Sequence, residues 1–307
     1  MFQVEADDCC VLSTVSPYGP KQYAERLAEL MFETHEVPGI YLGVPAIFCL
    51  YAQGKTNGVV LDSGECVTSA IPVFDGYAIA AAAQQLPFGG RDITAYIEKY
   101  LLAKDDELSI KSLADFNAVE AIKKGCCYCG QAAAPDPDVS YKMPDGTEVE
   151  IDGDFTTQDG YEIDDPASVP HKFFFDPLKL DWGDTSMEFS VHDRLHEAVM
   201  QSPMDGRRAM WGNCVIAGGN TMFNGFAETL YKKLKPLPGC RGVNLKIVAN
   251  ANRYVATATA TYMTLTIILT TILTTRNNAV PHVWANDDML THAFGVLSLS
   301  LSLSFSL

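Results

Sequence analysis

Apolar residues at Ala24, Leu27, Leu30 and Met31 recur at helical spacing after Pro20, and predict a helix that Pro38 and Gly39 close off. Ile40–Val44 then reads as a short strand. Pro45 suits the first turn of a helix through Ala46–Leu50, ended by Gly54. The continuous apolar run Val59–Leu61 predicts a buried strand that stops at Asp62. Ser63-Gly64 makes a tight turn, Cys66–Phe74 returns as a second strand, and Asp75-Gly76 turns the chain into Tyr77–Ile79. A meander with a carboxylate at its first turn can hold a hydrated cation beside phosphates. Asp-Ser-Gly is also ordinary turn chemistry, so spacing alone leaves both readings open.

Two helices follow. Ile93, Tyr96, Ile97, Tyr100 and Leu101 define one stripe, and Leu113, Phe116, Val119 and Ile122 a looser one ending near Gly125. From Pro135 to Pro170 the chain becomes acidic and turn-rich, with Pro144-Asp145-Gly146, Asp152-Gly153 and Asp159-Gly160, a pattern of solvated hairpins. Val191–Met200 reads as a short helix, Cys214–Ala217 as a buried strand, and Leu245–Val248 as another. Gly218-Gly219-Asn220-Thr221 opens a predicted helix from Met222 to Leu234. Glycines between a strand and a helix let a ligand approach the backbone while N–H groups point outward. A tight connection that binds nothing would use the same residues.

The 307 residues carry a net charge of −16, with 48% hydrophobic and 20% charged content, which excludes disorder as the main reading. The acidic balance argues against nucleic acid as a partner, because a phosphate-binding face needs clustered Lys and Arg. Nine cysteines without a secretory pattern at Met1–Asp8 point to reduced thiols in a cytosolic or nuclear compartment.

Several chemistries fail on spacing. Cys126, Cys127 and Cys129 lack the second ligand pair of a zinc site and read as buried structural thiols. His192 and His196 lie one helical turn apart without the glutamate and third ligand of a zincin. The aspartates of Pro135–Pro170 do not meet EF-hand spacing. There is no Gly-x-Ser-x-Gly elbow or Walker loop. Val255–Thr275 is long enough to cross a bilayer, but Thr and Ala dominate it and gain little from leaving water, so membrane insertion is not expected.

The segment MFETHEVPGIYLGVPAIFCLYAQGKTNGVVLDSGECVTSAIPVFDGYAI resembles the central part of actin and the actin-related proteins. The resemblance continues through LPFGGRDITAYIEKYL, SYKMPDGTEVEI, VIAGGNTMFNGFAETLYKKL and LKIVANANRY, over roughly Val11–Tyr254, and weakens across Asp152–Asp184. It implies an α/β, actin-like fold of the ribonuclease-H-like kind, with one nearly complete lobe and a fragment of the second. Residues 1–52 would be the fragment of the first lobe. Residues 53–88 and 171–254 would form the core sheet domain of the second, 89–170 its inserted subdomain, and 255–307 a tail outside the family.

The resemblance also implies a site for ATP or ADP with Mg2+. Asp62, Ser63, Gly64 and Glu65 match a phosphate hairpin, with Asp62 as the carboxylate that orders the metal's water shell. Gly90 and Arg91 match the ribose side, and Lys123 an adenine-side lysine. Gly218, Gly219, Asn220, Thr221 and Met222 match the loop that cradles adenosine and phosphate. Other actin-family chains or actin-binding proteins are the implied partners, and a cytoplasmic, cytoskeletal location is implied with them.

Departures from the family pattern shape the functional expectation. The sequence begins well inside the family's length, so the first phosphate hairpin and the small subdomain over the nucleotide have no counterpart. Pro45 stands where actins carry the glutamine that positions attacking water, and Ser69 where they carry a histidine of that network. Cys66 replaces a glycine of the phosphate turn and Lys124 a ribose-binding glutamate, and a lysine expected near Arg253-Tyr254 is lacking. Phosphoryl transfer to water depends on positioning that water, so the expectation is a partial ATP-binding cleft with impaired hydrolysis and polymerisation. The alternatives are a nucleotide-independent scaffold subunit of a larger complex, or a truncated product without independent function.

Val296–Leu307 reads VLSLSLSLSFSL, a strict alternation that has the period of a strand and is also what a CT dinucleotide repeat encodes. Together with the Ala-Thr alternation from Ala256 to Thr261, it suggests translated intron or untranslated sequence after Tyr254.

Overall fold

The computed structural model describes residues 10–104, 110, 112–130, 139–142, 146, 148–151, 155–156, 162–163, 168–177, 189–251 and 253. The expected tail, the uncharged run Val255–Thr275 and all the aspartates of Pro135–Pro170 lie outside these residues.

The chain opens with strand β1 (Val11–Thr14), helix α1 (Lys21–Glu33) and strand β2 (Ile40–Gly43), with β1 and β2 paired in parallel. Pro20 stands at the N-cap of α1 as its fixed φ allows, yet none of the helix is buried: Leu27 and Met31 are half covered and Leu30 is exposed. Helix α2 (Pro45–Tyr51) starts on Pro45 and buries Ala46, Cys49 and Leu50 against the large sheet that follows.

That sheet begins with β3 (Gly58–Ser63), β4 (Thr68–Phe74), β5 (Tyr77–Ala78) and β6 (Gln84–Leu86). Helices α3 (Gly90–Lys104) and α4 (Leu113–Cys126) come next, α4 opened by a Ser112–Asp115 capping box. Two antiparallel pairs occupy the acidic stretch, as its turn signals predict: β7 (Val139–Lys142) with β8 (Glu148–Ile151), and β9 (Phe155–Thr156) with β10 (Glu162–Ile163). The chain then runs through α5 (Val169–Phe175), α6 (Val191–Gln201), α7 (Met204–Gly212), β11 (Cys214–Ala217), α8 (Phe226–Leu234) and β12 (Ile247–Ala249).

The sheet order is β12-β11-β3-β4-β5, with β6 also paired to β4. β11 runs parallel to both β3 and β12, while β3 and β4 are antiparallel. Alternation in β3 and β11 splits the core between two faces. Val59, Leu61, Cys214 and Ile216 join α3, α4, α5, α6 and α8 on one side; Val60, Val215 and Ala217 meet α2 on the other. Burial on both faces is why these strands read as unbroken apolar runs. Trp211 and the phenylalanines Phe173, Phe174 and Phe226 fill the larger half, with Phe174 edge-on to Phe226.

The structure corrects several boundaries. The second hairpin strand starts at Thr68 instead of Cys66, because Glu65, Cys66 and Val67 are spent on the turn closed by the Gly64 N–H to Val67 carbonyl bond. The helix expected from Met222 is split into a 3-10 turn over Gly219–Met222 and α8, since Gly225 adopts a left-handed φ of 78° that breaks a continuous helix. The last strand is Ile247–Ala249, shifted from Leu245–Val248. Helices α5 and α7 carried no clear periodic stripe, one being seven residues with Pro170 in its first turn and the other containing Gly206.

Candidate functional site

The parallel strands β3 and β11 end side by side, with Asp62 in register with Ala217. The carboxyl ends of parallel strands are where open α/β sheets leave a crevice for ligands. Into it project the Ser63–Val67 turn and the Gly218–Met222 turn, 156 residues apart in sequence and joined by the Asn220 amide, which donates to the Gly64 carbonyl at 2.7 Å. The same amide nitrogen donates to Ser63 Oγ at 3.1 Å. Ser63 Oγ lies 2.8 Å from Thr68 Oγ1, which donates to the Phe88 carbonyl at 3.0 Å. Ser63, Thr68 and Asn220 are all buried.

Helix α3 docks onto the hairpin through its first turn. Gly90 N–H donates to the Gly64 carbonyl at 3.0 Å and Arg91 N–H to the Glu65 carbonyl at 2.8 Å. A Cβ at Gly90 would fall within 2.8 Å of both Asn220 Oδ1 and Glu65 Oε2, so a larger residue would push those side chains aside. Lys123, buried at the end of α4, donates to the Gly90 carbonyl at 3.0 Å and Thr94 Oγ1 at 2.7 Å, with Glu65 Oε2 at 3.8 Å. Burial pushes the Lys123 ammonium below the usual lysine range, and the Glu65 charge works against that shift.

Gly218 sits at φ 90°, packed so closely on the Ser63 carbonyl and Asp62 Oδ1 that a Cβ has no room. Gly219, by contrast, has open space where a side chain would be. This combination of a tight glycine beneath and an open one above leaves backbone accessible to a ligand. The N–H groups of Glu65 and Cys66 make no main-chain hydrogen bond among the described residues, so the tip of the hairpin offers donors to an anion. Cys66 and Met222 are exposed at the same end.

Asp62 is half-buried between Gly218 and the Ser69 register position, and its carboxylate has no hydrogen-bond or ion-pair partner among the described residues. Desolvation raises its pKa above the usual aspartate value. An acid held in that state gains from a cation. Magnesium is commonly bound by one or two carboxylates with phosphates and waters completing its shell, and Asp62 beside two open turns fits that mode. No group of three or more His, Cys, Asp or Glu that could cage an ion occurs among the described residues.

The residues that the resemblance assigns to a nucleotide site therefore gather at one end of the sheet, but in unequal roles. Asp62, Gly64, Glu65, Gly218 and Gly219 form the accessible surface. Ser63, Asn220 and Lys123 turn their polar groups inward to join elements, and Arg91 enters through its main chain. Thr221 Oγ1 donates back to the Gly218 carbonyl at 2.8 Å. Sequence reasoning missed Thr68 and Thr94, which carry no signal beyond their polarity in apolar surroundings, and Arg253, whose carbonyl accepts from Gly218 N–H at 3.1 Å.

The remaining candidates have other tasks. Cys126, Cys127 and Cys129 are buried, Cys126 closing α4 and the other two just beyond it, and burial raises the Cys129 thiol well above its usual range. His192 Nδ1 lies 2.6 Å from Ser190 Oγ, while His196 stacks on Trp211 and bonds the Pro238 carbonyl at 2.5 Å. They do not converge on a common point. Among the described residues no helix is long and apolar enough to cross a membrane.

These strands, helices and turns define an α/β protein of the ribonuclease-H-like class. The family model described as Actin matches residues 1–263, and the chain belongs to the actin family. The match continues past Tyr254, where the motif-based resemblance stopped.

Proposed function

We propose that this actin-family chain binds ATP or ADP with magnesium at the hairpin–glycine turn cleft of its larger lobe, and hydrolyses the nucleotide poorly. The observation that carries the reading is the half-buried, unpartnered Asp62 carboxylate set between the open Gly219 turn and the Ser63–Val67 hairpin. Asp62 would order the water shell of the ion, the hairpin N–H groups would face the phosphates, and Gly219 would allow the nucleotide to lie against backbone. Magnesium would supply charge neutralisation on the phosphates.

Weak hydrolysis follows from the two residues that stand, by the family resemblance, in the water-positioning network. Pro45 begins α2 and has no side-chain hydrogen-bonding group, and Ser69, paired in register with Asp62, has only a short hydroxyl. Neither replaces the water-positioning pair that the family resemblance implies, and positioning is most of what phosphoryl transfer to water requires. A cytoplasmic role among cytoskeletal proteins accompanies this reading on family grounds.

Titration of a fluorescent ATP analogue with and without magnesium tests it. Saturable, magnesium-dependent binding is expected. A folded, monodisperse chain with no detectable affinity would sink the proposal. The second reading, a nucleotide-independent subunit of a larger complex, draws support from the inward-turned side chains of Asn220 and Lys123, which hold the cleft elements together with protein groups alone. Stoichiometric co-purifying partners without nucleotide affinity would favour it.

A further inference from the structure

We propose that Arg253 is a positioning residue that fixes the Gly218–Met222 turn in its ligand-receiving shape, a role that rests on the nucleotide reading above. Two anchors hold this turn. Asn220 ties its front to the hairpin, and Arg253 grips its back. Arg253 Nη2 donates to the Thr221 carbonyl at 2.9 Å, and its Nε lies 3.3 Å from the same oxygen and 3.2 Å from Thr221 Oγ1. Its Nη1 donates to the Asn250 carbonyl at 3.0 Å, which steadies the guanidinium against the segment that follows β12. The main-chain carbonyl of Arg253 accepts from Gly218 N–H at 3.1 Å. One residue therefore holds the first and fourth positions of the turn together.

The geometry asks for arginine. Hydrogen bonds from a charged donor to a carbonyl are stronger than neutral ones, and the planar fork can serve Thr221 and Asn250 at once in a fixed plane. A lysine offers a point charge on a flexible stem and no such fork. Thr221 is fully buried and already spends its hydroxyl hydrogen on the Gly218 carbonyl. Within the turn, Thr221 N–H and Oγ1 both donate to the Gly218 carbonyl; Asn220 and Arg253 then tie it to the neighbouring elements, with Gly218 at positive φ and Gly219 open. Loss of the guanidinium leaves the Thr221 carbonyl unpaired and lets the turn sample other shapes. A ligand that needs one shape then binds more weakly in proportion to the lost population.

The side chain can be tested apart from the main-chain bond, because substitution leaves the Arg253 carbonyl in place. The full chain is compared as wild type, Arg253→Ala and Arg253→Lys. Magnesium-dependent binding of a fluorescent ATP analogue is measured, with thermal melting as the control for folding. Arg253→Ala is expected to bind about tenfold more weakly, corresponding to a competent population of about a tenth, and sub-denaturing guanidinium ion should restore most of the loss. Arg253→Lys should fall between the two. Unchanged affinity in Arg253→Ala would overturn the proposal, as would a loss that tracks melting temperature and does not respond to guanidinium.

Hydrogen exchange over Gly218–Met222 without ligand separates this proposal from the nucleotide reading. Faster exchange confined to that turn in Arg253→Ala, slowed again by guanidinium, supports the clamp. Unchanged exchange overturns it, whatever the titration gives. Failure of the wild type to bind nucleotide sinks the reading above and leaves the exchange measurement to decide the role of Arg253.

Discussion

Asn220 and Gly64 are joined by a 2.7 Å hydrogen bond across 156 residues of sequence. Both this bond and its companion to the buried Ser63 Oγ at 3.1 Å come from the buried Asn220 side chain. They fix the distance between the two turns that flank Asp62. The cleft is thus held at a set width by a side chain that faces away from it.

Replacing Asn220 with alanine should leave the Gly64 carbonyl with its Gly90 partner only and remove one of the two side-chain contacts of Ser63 Oγ. A cost of about 1–3 kcal/mol is expected for losing these two hydrogen bonds, read as a lowered urea midpoint at unchanged m-value. A midpoint within error of wild type would show that the two turns hold their spacing by backbone packing alone.

Asp62 should impose a pH dependence with a definite sign. Its folded pKa is raised above 3.8 by burial, so the folded chain retains a proton that the unfolded chain has lost. Stability contributed at this site is therefore present below the unfolded value and falls as pH rises through the folded one. Asp62→Asn should flatten that slope and should remove magnesium dependence from nucleotide binding. Parallel pH–stability curves for the two proteins would refute the assignment of the shift.

Lys123→Met keeps the stem and deletes the charge, leaving the Gly90 carbonyl and Thr94 Oγ1 without the buried donor. Breaking one side of a buried polar arrangement is expected to cost about 1–3 kcal/mol. Glu65→Gln should cost under about 1 kcal/mol, because the carboxylate is largely exposed and water screens its pull on the ammonium. Equal losses in the two variants would mean that the ion pair, and not the hydrogen bonds to α3, dominates.

Gly218→Ala places a methyl group against the Ser63 carbonyl at a φ of 90°. Strain of about 1–3 kcal/mol is expected from the backbone conformation, with more from the contact. The turn should shift, so analogue binding should be lost along with stability. Gly219→Ala is the control, since its side-chain direction is open, and should spare the fold while obstructing ligand approach.

Cys66 is exposed at the hairpin tip, whereas Cys49, Cys126, Cys127, Cys129, Cys214 and Cys240 are buried. A maleimide should label Cys66 well ahead of those six, and magnesium-nucleotide should slow that labelling. Labelling that ignores nucleotide at saturating concentration would place the ligand elsewhere.

Much of this molecule was legible as pattern. Val59–Leu61 and Cys214–Ala217 are short apolar runs bounded by turn residues, and both are strands buried on two faces. The stripes of α3 and α4, the proline starts of α1 and α2, and the glycine turn at Gly218 follow from local physics that any window of sequence contains. Asp62, Gly64 and Gly218 stood out as a carboxylate at a strand end and glycines at turns, signals that left their function open until the family resemblance assigned them to a nucleotide site. The α1 stripe was equally legible, but its burial was not: Ala24, Leu27 and Met31 reach only half cover, because burial depends on which surface lies opposite.

Roles that depend on distant partners could be decided only by the tertiary structure. Lys123 read as an adenine-side lysine, and the fold turns its ammonium onto Gly90 and Thr94. Ser63 and Asn220 read as ligand contacts, and the fold buries both against each other. Arg253 only marked where an expected lysine is lacking, until folding set it behind Thr221. A residue's type and its immediate neighbours fix its backbone conformation and the chemistry it can perform. Which partner it meets is set by the packing of strands and helices far away in sequence, through the burial that makes an unpaired polar group costly.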